Sequence, residues 1–308
     1  MNAAEVASSM RVLITGGAGF IGSWVIKKLV AAGITPVVFD RTSDRRVLQQ
    51  IAGTELAETI LWCTGDISDT ESVINASVEC DTIIHLASLL TPDCRADPIL
   101  GANVNLVGLL NVFLAARKHG MSQVLYMSSA GVFGPGGGST PEPTTLYGAF
   151  KLAGEHSARA FFEDDGISSI GFRPYVVYGP GREIGLSAGP TLACRAAARG
   201  EPYTIPFTGT IDMIHVEDVA DALVRALSFQ EPGAKVVNLL GTQTTTEEII
   251  ATIQATVPEA EIDAAGPPMP ITLPELATPS LFSDWKPRSL EQGISETIAY
   301  YRYTAGKS

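Results

Sequence analysis

The 308-residue sequence predicts an α/β protein, a doubly wound parallel sheet with a smaller C-terminal α/β substrate-binding cap. Three observations predict it. Val12–Thr15 is a short apolar run that ends in glycines, and a helical apolar pattern follows at Trp24, Val25, Leu29 and Val30. Further short apolar runs alternate with helical patterns up to residue 173. Polar residues and glycines gather at the C-terminal ends of those runs, where such sheets bind their ligands.

The first strand, turn and helix carry two overlapping spacings, Gly16-x-x-Gly19-x-x-Gly22 and Gly17-x-Gly19-x-x-Gly22. One glycine makes the tight turn, one lets the backbone approach a pyrophosphate, and one lets the helix pack on the strand. The free amides and positive dipole end of the helix then face the phosphates. Gly16, Gly19, Phe20, Ile21 and Gly22 are therefore the expected seat of a dinucleotide in a Rossmann-type domain. Pro36–Asp40 is the second strand, with Asp40 at its C-terminal edge. An aspartate there accepts both hydroxyls of the adenosine ribose and repels a 2′-phosphate, which favours NAD over NADP. Arg41 and the pair Arg45 and Arg46 are the opposing signal, since arginines can hold that phosphate.

Thr59–Cys63 reads as a third strand, followed by the turn residues Asp66 and Ile67 and a helix over 69–78. A fourth strand over 81–87 ends at Ala87, an amphipathic helix covers 99–119, and a fifth strand over 123–129 ends at Ser128 and Ser129. Residues 134–143 are too rich in glycine and proline for regular structure and form either a plain surface loop or a mobile cover beside a site. A helix over 146–164 places Tyr147 and Lys151 one turn apart on one face. The sixth strand is 168–173. Beyond it come a turn at 179–182, a helix at 190–199, extended segments at 203–207 and 210–216, a helix at 217–229 and a strand at 235–240. Helices at 246–255 and 290–303 and a proline-rich loop at 266–279 complete the pattern. The expected organisation is a disordered leader at 1–10, a dinucleotide-binding domain at 11–175, and a cap at 176–308 with 210–240 returning to the main sheet.

Composition narrows the partners. The chain is 45% hydrophobic and 18% charged, an ordinary globular balance, but its net charge is −12. That argues against nucleic acid or an anionic membrane, which select basic patches. No apolar run reaches the length of a membrane span, and residues 1–10 carry no basic region or apolar core of a signal peptide. The four cysteines form no C-x-x-C and have no histidine at metal-ligand spacing. They read as free thiols in a reducing, cytoplasmic compartment, and no metal site is expected.

Taken together the motifs resemble the extended short-chain dehydrogenase/reductase family, of the NAD-dependent epimerase/dehydratase type. The carrying segments are Thr15–Gly22 (TGGAGFIG), His85–Ser88 (HLAS), Ser128–Gly134 (SSAGVFG), Tyr147–Lys151 (YGAFK), Arg173–Arg182 (RPYVVYGPGR), His215–Ala220 (HVEDVA) and Asp284–Pro287 (DWKP). The resemblance implies a proton-transfer role for Tyr147, with Lys151 as its partner and Ser129 as the third member. A free phenol near pKa 10 is a poor base at neutral pH, and neighbouring positive charge favours the phenolate. The resemblance also places Arg41, Asp66, Ile67, Leu86, Ala87, Ser88, Tyr147, Lys151, Tyr175 and Val176 along the NAD, and Ser129, Ala130, Gly131, Tyr147 and Arg182 on the substrate side. His85 and His215 sit in turn motifs and receive no catalytic role. Dimerisation through the helices at 99–119 and 146–164, as a four-helix bundle, is a further implication.

The departures from the pattern bear on the reaction. Family dehydratases place Asp-Glu after the catalytic Ser/Thr, where this chain has Ala130 and Gly131. Decarboxylases use a glutamate, and epimerase–reductases a cysteine, where Gly131 stands. Plain alcohol–ketone chemistry remains, as net oxidation or as transient oxidation with re-reduction from the other face. Nucleotide-sugar members usually carry an arginine at the position of Ile211 and often an asparagine at that of Val176. The leading expectation is therefore an NAD-dependent oxidoreductase acting on a secondary alcohol of a small, polar, sugar-like substrate that is not nucleotide-linked. The alternative is a nucleoside-diphosphate-sugar 4-epimerase with tightly bound NAD. A non-catalytic NAD-binding regulator is disfavoured because Ser129, Tyr147 and Lys151 are all present.

Overall fold

The computed structural model describes residues 10–136, 140–229, 231–271 and 284–306. The expected leader, part of the 134–143 loop and most of the 266–279 loop lie outside the described residues. The first half of the chain runs β1 (Arg11–Thr15), α1 (Phe20–Ala31), β2 (Thr35–Asp40), α2 (Arg46–Ala52), α3 (Thr54–Thr59), β3 (Leu61–Thr64), α4 (Thr70–Ala76), β4 (Thr82–His85), α5 (Thr91–Ala96), α6 (Pro98–Ala102), α7 (Gly108–His119), β5 (Gln123–Met127) and α8 (Leu146–Asp165). The second half runs β6 (Ser168–Pro174), β7 (Val176–Tyr178), α9 (Gly189–Arg199), β8 (Tyr203–Ile205), β9 (Thr210–His215), α10 (Val216–Ala226), β10 (Ala234–Leu239), β11 (Thr242–Thr245), α11 (Thr246–Thr256), β12 (Ile262–Ala264) and α12 (Leu290–Ala305).

Seven strands form one sheet in the order β10-β6-β5-β4-β1-β2-β3, and every neighbouring pair is parallel. The strands alternate their side chains between two cores, as the pleat requires. Val12, Ile14, Val38, Ile84 and Leu125 meet α1 and α10 on one face. Leu13, Val37, Ile83, Val124 and Tyr126 meet α4, α7 and α8 on the other. Both faces are thus covered, and only the strand ends are open to a ligand.

A smaller lobe is built on the three-stranded sheet β11-β9-β7 and the parallel pair β12-β8. Its core joins Val176, Tyr178, Phe207, Ile211 and Met213 to Ile249, Ile253, Ile294 and Ile298 from α11 and α12. The expected return of 210–240 to the main sheet is therefore corrected. β9 pairs with β7 and β11 in the smaller sheet, whereas α10 packs beneath the large sheet and only β10 joins it, beside β6. Helices α2, α3 and α5 were not expected from the sequence, because six or seven residues are too few to establish a helical period. α3 also delays the third strand to Leu61.

Helices α6 and α7 join through a π-helical turn at Asn103–Val107, which inserts the buried Asn105. The resulting rod, Pro98–His119, contains an 18-residue stretch with a mean hydropathy of 1.8. Among the described residues it is the one helix long and apolar enough to cross a membrane, although the sequence holds no unbroken apolar run of that length. Half of it is buried, with Leu109, Val112 and Phe113 against the sheet, which is how a core helix meets the same criteria.

Candidate active site

The C-terminal ends of β1, β4, β5 and β6 open into one cleft of about 690 Å³, a volume in the range of small-ligand sites. The glycine turn forms its floor. Gly16 has φ +72°, and a Cβ there would lie 2.6 Å from the Ala87 amide nitrogen, so the β1 and β4 ends meet only because residue 16 has no side chain. Thr15 fixes the same junction: its Oγ1 accepts the Leu86 and Ala87 amides at 3.2 and 3.3 Å and bonds His85 Nδ1 at 2.7 Å. Burial and the Lys151 charge push the His85 pKa down to about 3, so this ring is neutral and structural. Gly19 caps α1 without a side-chain hydrogen bond, and no acidic residue occupies the first turn. The helix amides are left for an external anion.

Asp40 stands at the end of β2, where its carboxylate accepts the Ala18 amide at 3.0 Å and the Thr42 amide at 3.3 Å. Of the three arginines that could hold a 2′-phosphate, two are engaged. Arg45 donates to the Ala57 carbonyl at 2.7 Å and lies over the Trp62 ring. Arg46 forks onto Asp44, with its closest approach at 2.6 Å. Arg41 lines the cleft at this edge. The open glycine turn, the free helix end and the Asp40 carboxylate fit NAD.

The reacting end is assembled where β5 stops. Ser129 opens a 3₁₀ turn over Ala130–Val132, and its Oγ accepts the Gly131 amide at 3.0 Å. Thr145 caps α8 by accepting the Gly148 amide at 3.1 Å. The first turn of α8 rests directly on the Ser129 turn, so closely that a Cβ on Gly148 would overlap the Gly131 carbonyl oxygen. This contact brings Tyr147 to Ser129. One turn later the buried Lys151 donates to the Met127 carbonyl at 2.8 Å, with its Nζ 5.6 Å from the centre of the Tyr147 ring. Burial holds the Lys151 pKa down at about 8, against the upward pull of Cys94 and Glu155. Burial also raises the Tyr147 phenol, opposed by hydrogen bonds with Ser129 and Ser88 and by the Arg182 charge.

Arg182 follows β7 and lines the cleft, with its guanidinium 5.7 Å from the centre of the Phe20 ring and Nη2 donating to Ser187 Oγ at 2.9 Å. With it the cleft wall includes Gly16, Gly19, Phe20, Ile21, Gly22, Arg41, Leu86, Ser88, Ser129, Tyr147, Lys151 and Tyr175. The other expected residues do not line it. Asp66 is turned onto Ser68, whose amide and hydroxyl it accepts at 2.8 and 2.7 Å. The Ile67 side chain is buried, and its carbonyl takes the Asn111 amide at 2.9 Å. Ala87 stands behind Gly16, and Ala130 and Gly131 lie buried in the turn behind Ser129. Val176 faces the core of the smaller lobe with no exposed surface, because the β7 pleat sends its neighbours Tyr175 and Val177 to the cleft instead.

The sequence reading missed the polar groups that hold the reacting end in place. Ser128 Oγ donates to Glu155 at 2.5 Å, and Glu155 receives both Nε of Arg173, at 2.7 Å, and its Nη2. This buried cluster ties the ends of β5 and β6 to α8. Ser88 Oγ donates at 2.6 Å to Asn105 Oδ1 from the π-helical turn. The spacing of Glu155, four residues after Lys151 on the buried face of the helix, is the signal that could have found it. At the base of the smaller lobe Ile211 is buried, and Asp212 accepts the Gly241 amide at 2.9 Å with its pKa pushed up to about 6 by burial.

Comparison with known proteins agrees with this geometry. Residues 12–239 match the model of the NAD dependent epimerase/dehydratase family. The chain is 30% identical over 313 aligned positions to a UDP-glucose 4-epimerase of Mycolicibacterium smegmatis, covering 95% of this chain and 99% of that protein. The structure is similar to a UDP-glucose 4-epimerase of Thermus thermophilus in complex with NAD, at a TM-score of 0.80 and 28% identity over 95% of this chain and 99% of the other. It is also similar to the UDP-glucose 4-epimerase of Thermotoga maritima with UDP-glucose, at 0.82 and 25% identity over 96% and 100% of the two chains. The glycine turn, the Ser129–Tyr147–Lys151 cluster and these matches together make the chain a member of the NAD-dependent epimerase/dehydratase family of extended short-chain dehydrogenases/reductases.

Proposed function

We propose that this protein is a nucleoside-diphosphate-sugar 4-epimerase that keeps its NAD through turnover. The observation that carries the proposal is the single proton-transfer group at the reacting end. Tyr147 is hydrogen-bonded with Ser129 and Ser88 under the charge of Arg182, and the neighbouring position that could supply a second acid or base is Gly131. Nearly full-length similarity to UDP-glucose 4-epimerases supports the same reaction.

NAD supplies, when bound, the acceptor and later the donor of one hydride. The turn at Gly16–Gly22 would seat its pyrophosphate on the α1 amides, and Asp40 would accept the adenosine ribose hydroxyls with Arg41 at the rim. Lys151, fixed by the Met127 carbonyl, would hold the nicotinamide ribose and keep positive charge beside Tyr147. Ser129 donates to the substrate oxygen while Tyr147 takes its proton. The same proton returns from Tyr147 to that oxygen after the sugar has presented its other face. Oxidation and reduction cancel, so no net redox change results.

A second reading, net oxidation of a sugar that carries no nucleotide, is favoured by the buried Ile211, since that segment offers no guanidinium to a diphosphate. Denaturing the purified protein and assaying the supernatant for NAD separates the two. Stoichiometric NAD supports the epimerase, whereas protein that is empty as purified and reduces added NAD with free sugars supports the dehydrogenase. We also propose a cytoplasmic homodimer. Four free cysteines suit the compartment, and exposed Ile99, Leu100 and Leu146 suit pairing through α6–α7 and α8. A monomer in sedimentation would refute the dimer.

A further inference from the structure

The adenosine end of the cleft is bordered by a flap that is tied to the distant C-terminal helix. Asp44, Arg46, Val47 and Gln50, from α2 and the residues before it, line one side of the cleft, and Gly181 lines the other. The two sides touch, since a Cβ built on Gly181 would lie 3.4 Å from Val47 Cγ1 and 3.6 Å from Ile51 Cδ1. α2 has seven residues, too few to hold a helix by its own hydrogen bonds. Leu48 and Ile51 seat it on the core. It is also joined to α3, where Arg45 donates to the Ala57 carbonyl at 2.7 Å and Gln49 Nε2 donates to Glu58 Oε1 at 3.2 Å, so residues 45–59 form one unit. Among the described residues, the hydrogen bond that joins this unit to a distant part of the chain comes from Tyr300, whose hydroxyl donates to the Gln50 carbonyl at 2.9 Å. That carbonyl lies in the last turn of α2, where helix carbonyls have no intrahelical donor. Tyr300 thus caps α2 from outside.

We propose that Tyr300 is a latch on the cofactor cleft: it holds the α2 flap shut over the adenosine half of NAD, so that NAD enters or leaves when the latch releases. The inference rests on the reading that NAD is kept through turnover, and it gives that retention a structural cause. α12 belongs to the smaller lobe, whose core takes Ile294 and Ile298 from it, and its last turns reach across to the large domain. The Tyr300 and Tyr301 rings meet edge to face with 5.4 Å between their centres, and the Tyr301 hydroxyl accepts the Gly181 amide at 3.3 Å. Two neighbouring residues of one helix therefore hold both sides of the cleft, the flap through Gln50 and the facing wall through Gly181. These contacts run between protein groups, so they resist opening during uptake and release alike. A contact of equal strength with and without NAD changes the rates of exchange and leaves the affinity as it is.

The test times NAD exchange in the native protein, Tyr300→Phe and Tyr300→Ala. Release is followed as bound NAD exchanges for isotopically labelled NAD, uptake by stopped-flow fluorescence on protein emptied by dialysis, and Kd by calorimetry. Tyr300→Phe keeps the ring and removes the hydrogen bond, so release and uptake should both quicken about 2- to 10-fold while Kd is unchanged. Tyr300→Ala should quicken both further. Hydrogen exchange in Tyr300→Phe should speed up at the amides of 47–59 and stay the same in α1. Faster release alone, with Kd weakened in step, would overturn the latch, because Tyr300 would then support the bound cofactor and not a gate. Unchanged rates in both variants would overturn it as well. Native protein that is empty as purified rejects the epimerase reading, while the two rates still decide the latch.

Discussion

Replacing Glu155 by leucine removes the acceptor of three hydrogen bonds at once, one from Ser128 and two from Arg173. Glu155 is 6% exposed, and the Arg173 side chain is 13% exposed. The substitution therefore leaves a guanidinium in the protein interior without its counter-ion, which costs about 3–5 kcal/mol. With a urea slope of about 3 kcal/mol/M for a chain of this size, the unfolding midpoint should fall by about 1–2 M. The double variant Glu155→Leu/Arg173→Met should regain at least half of that loss, because a buried pair exchanged for apolar residues is often near neutral. The same change frees Ser128 and hence the strand end that carries Ser129, so kcat should fall about tenfold or more even in protein that remains folded. Midpoints unchanged in the single variant, or losses that simply add in the double, would refute the view that this ion pair locks the reacting end.

Three further outcomes follow from the same geometry. Tyr147→Phe should lower turnover by about 10²–10⁴-fold while NAD content, measured after denaturation, is unchanged. Gly148→Ala should push α8 off the Gly131 carbonyl oxygen, costing about 1–3 kcal/mol in thermal or urea unfolding together with a drop in kcat. Lys151 titrates at about 8 in the folded protein, below its ordinary 10.5. The folded state thus loses this proton first, so turnover that depends on the ammonium should decline above about pH 8. Over the interval up to 10.5 the unfolded chain binds the extra proton, and this group adds stability as the pH rises. Kinetic and unfolding measurements across pH 7–10.5 on the native protein and Lys151→Met read both effects, which the variant should lack.

Most of the large sheet was legible in the sequence because its strands are buried on both faces and bounded by turn residues, as at Val12–Gly22 and Pro36–Asp40. The smaller lobe was less so. Segments such as Val176–Tyr178 and Thr242–Thr245 have three or four residues, too short to show a period, and their partners are distant in the chain. The sequence pattern at 210–216 therefore points to the large sheet, whereas β9 pairs in the smaller one. Tyr147, Lys151 and Ser129 could be found from spacing at strand and helix ends. That Val176 turns away while Tyr175 and Val177 face the cleft depends on the β7 pleat, and that Arg45 and Arg46 are occupied depends on Ala57 and Asp44 lying within reach. A glutamate late in an amphipathic helix reads as a solvated face, so the role of Glu155 shows only with Arg173 across from it.

The central claim is reversible oxidation at one carbon with the cofactor retained. The most direct measurement is to incubate the purified protein, with no NAD added, with a UDP-hexose or UDP-hexuronate deuterated at C4 and to analyse the products by NMR and mass spectrometry. Conversion to the C4 epimer with the deuterium still on C4, and no build-up of reduced cofactor, is the predicted result. No conversion until NAD is supplied, with oxidised sugar then accumulating in proportion to it, would contradict the account.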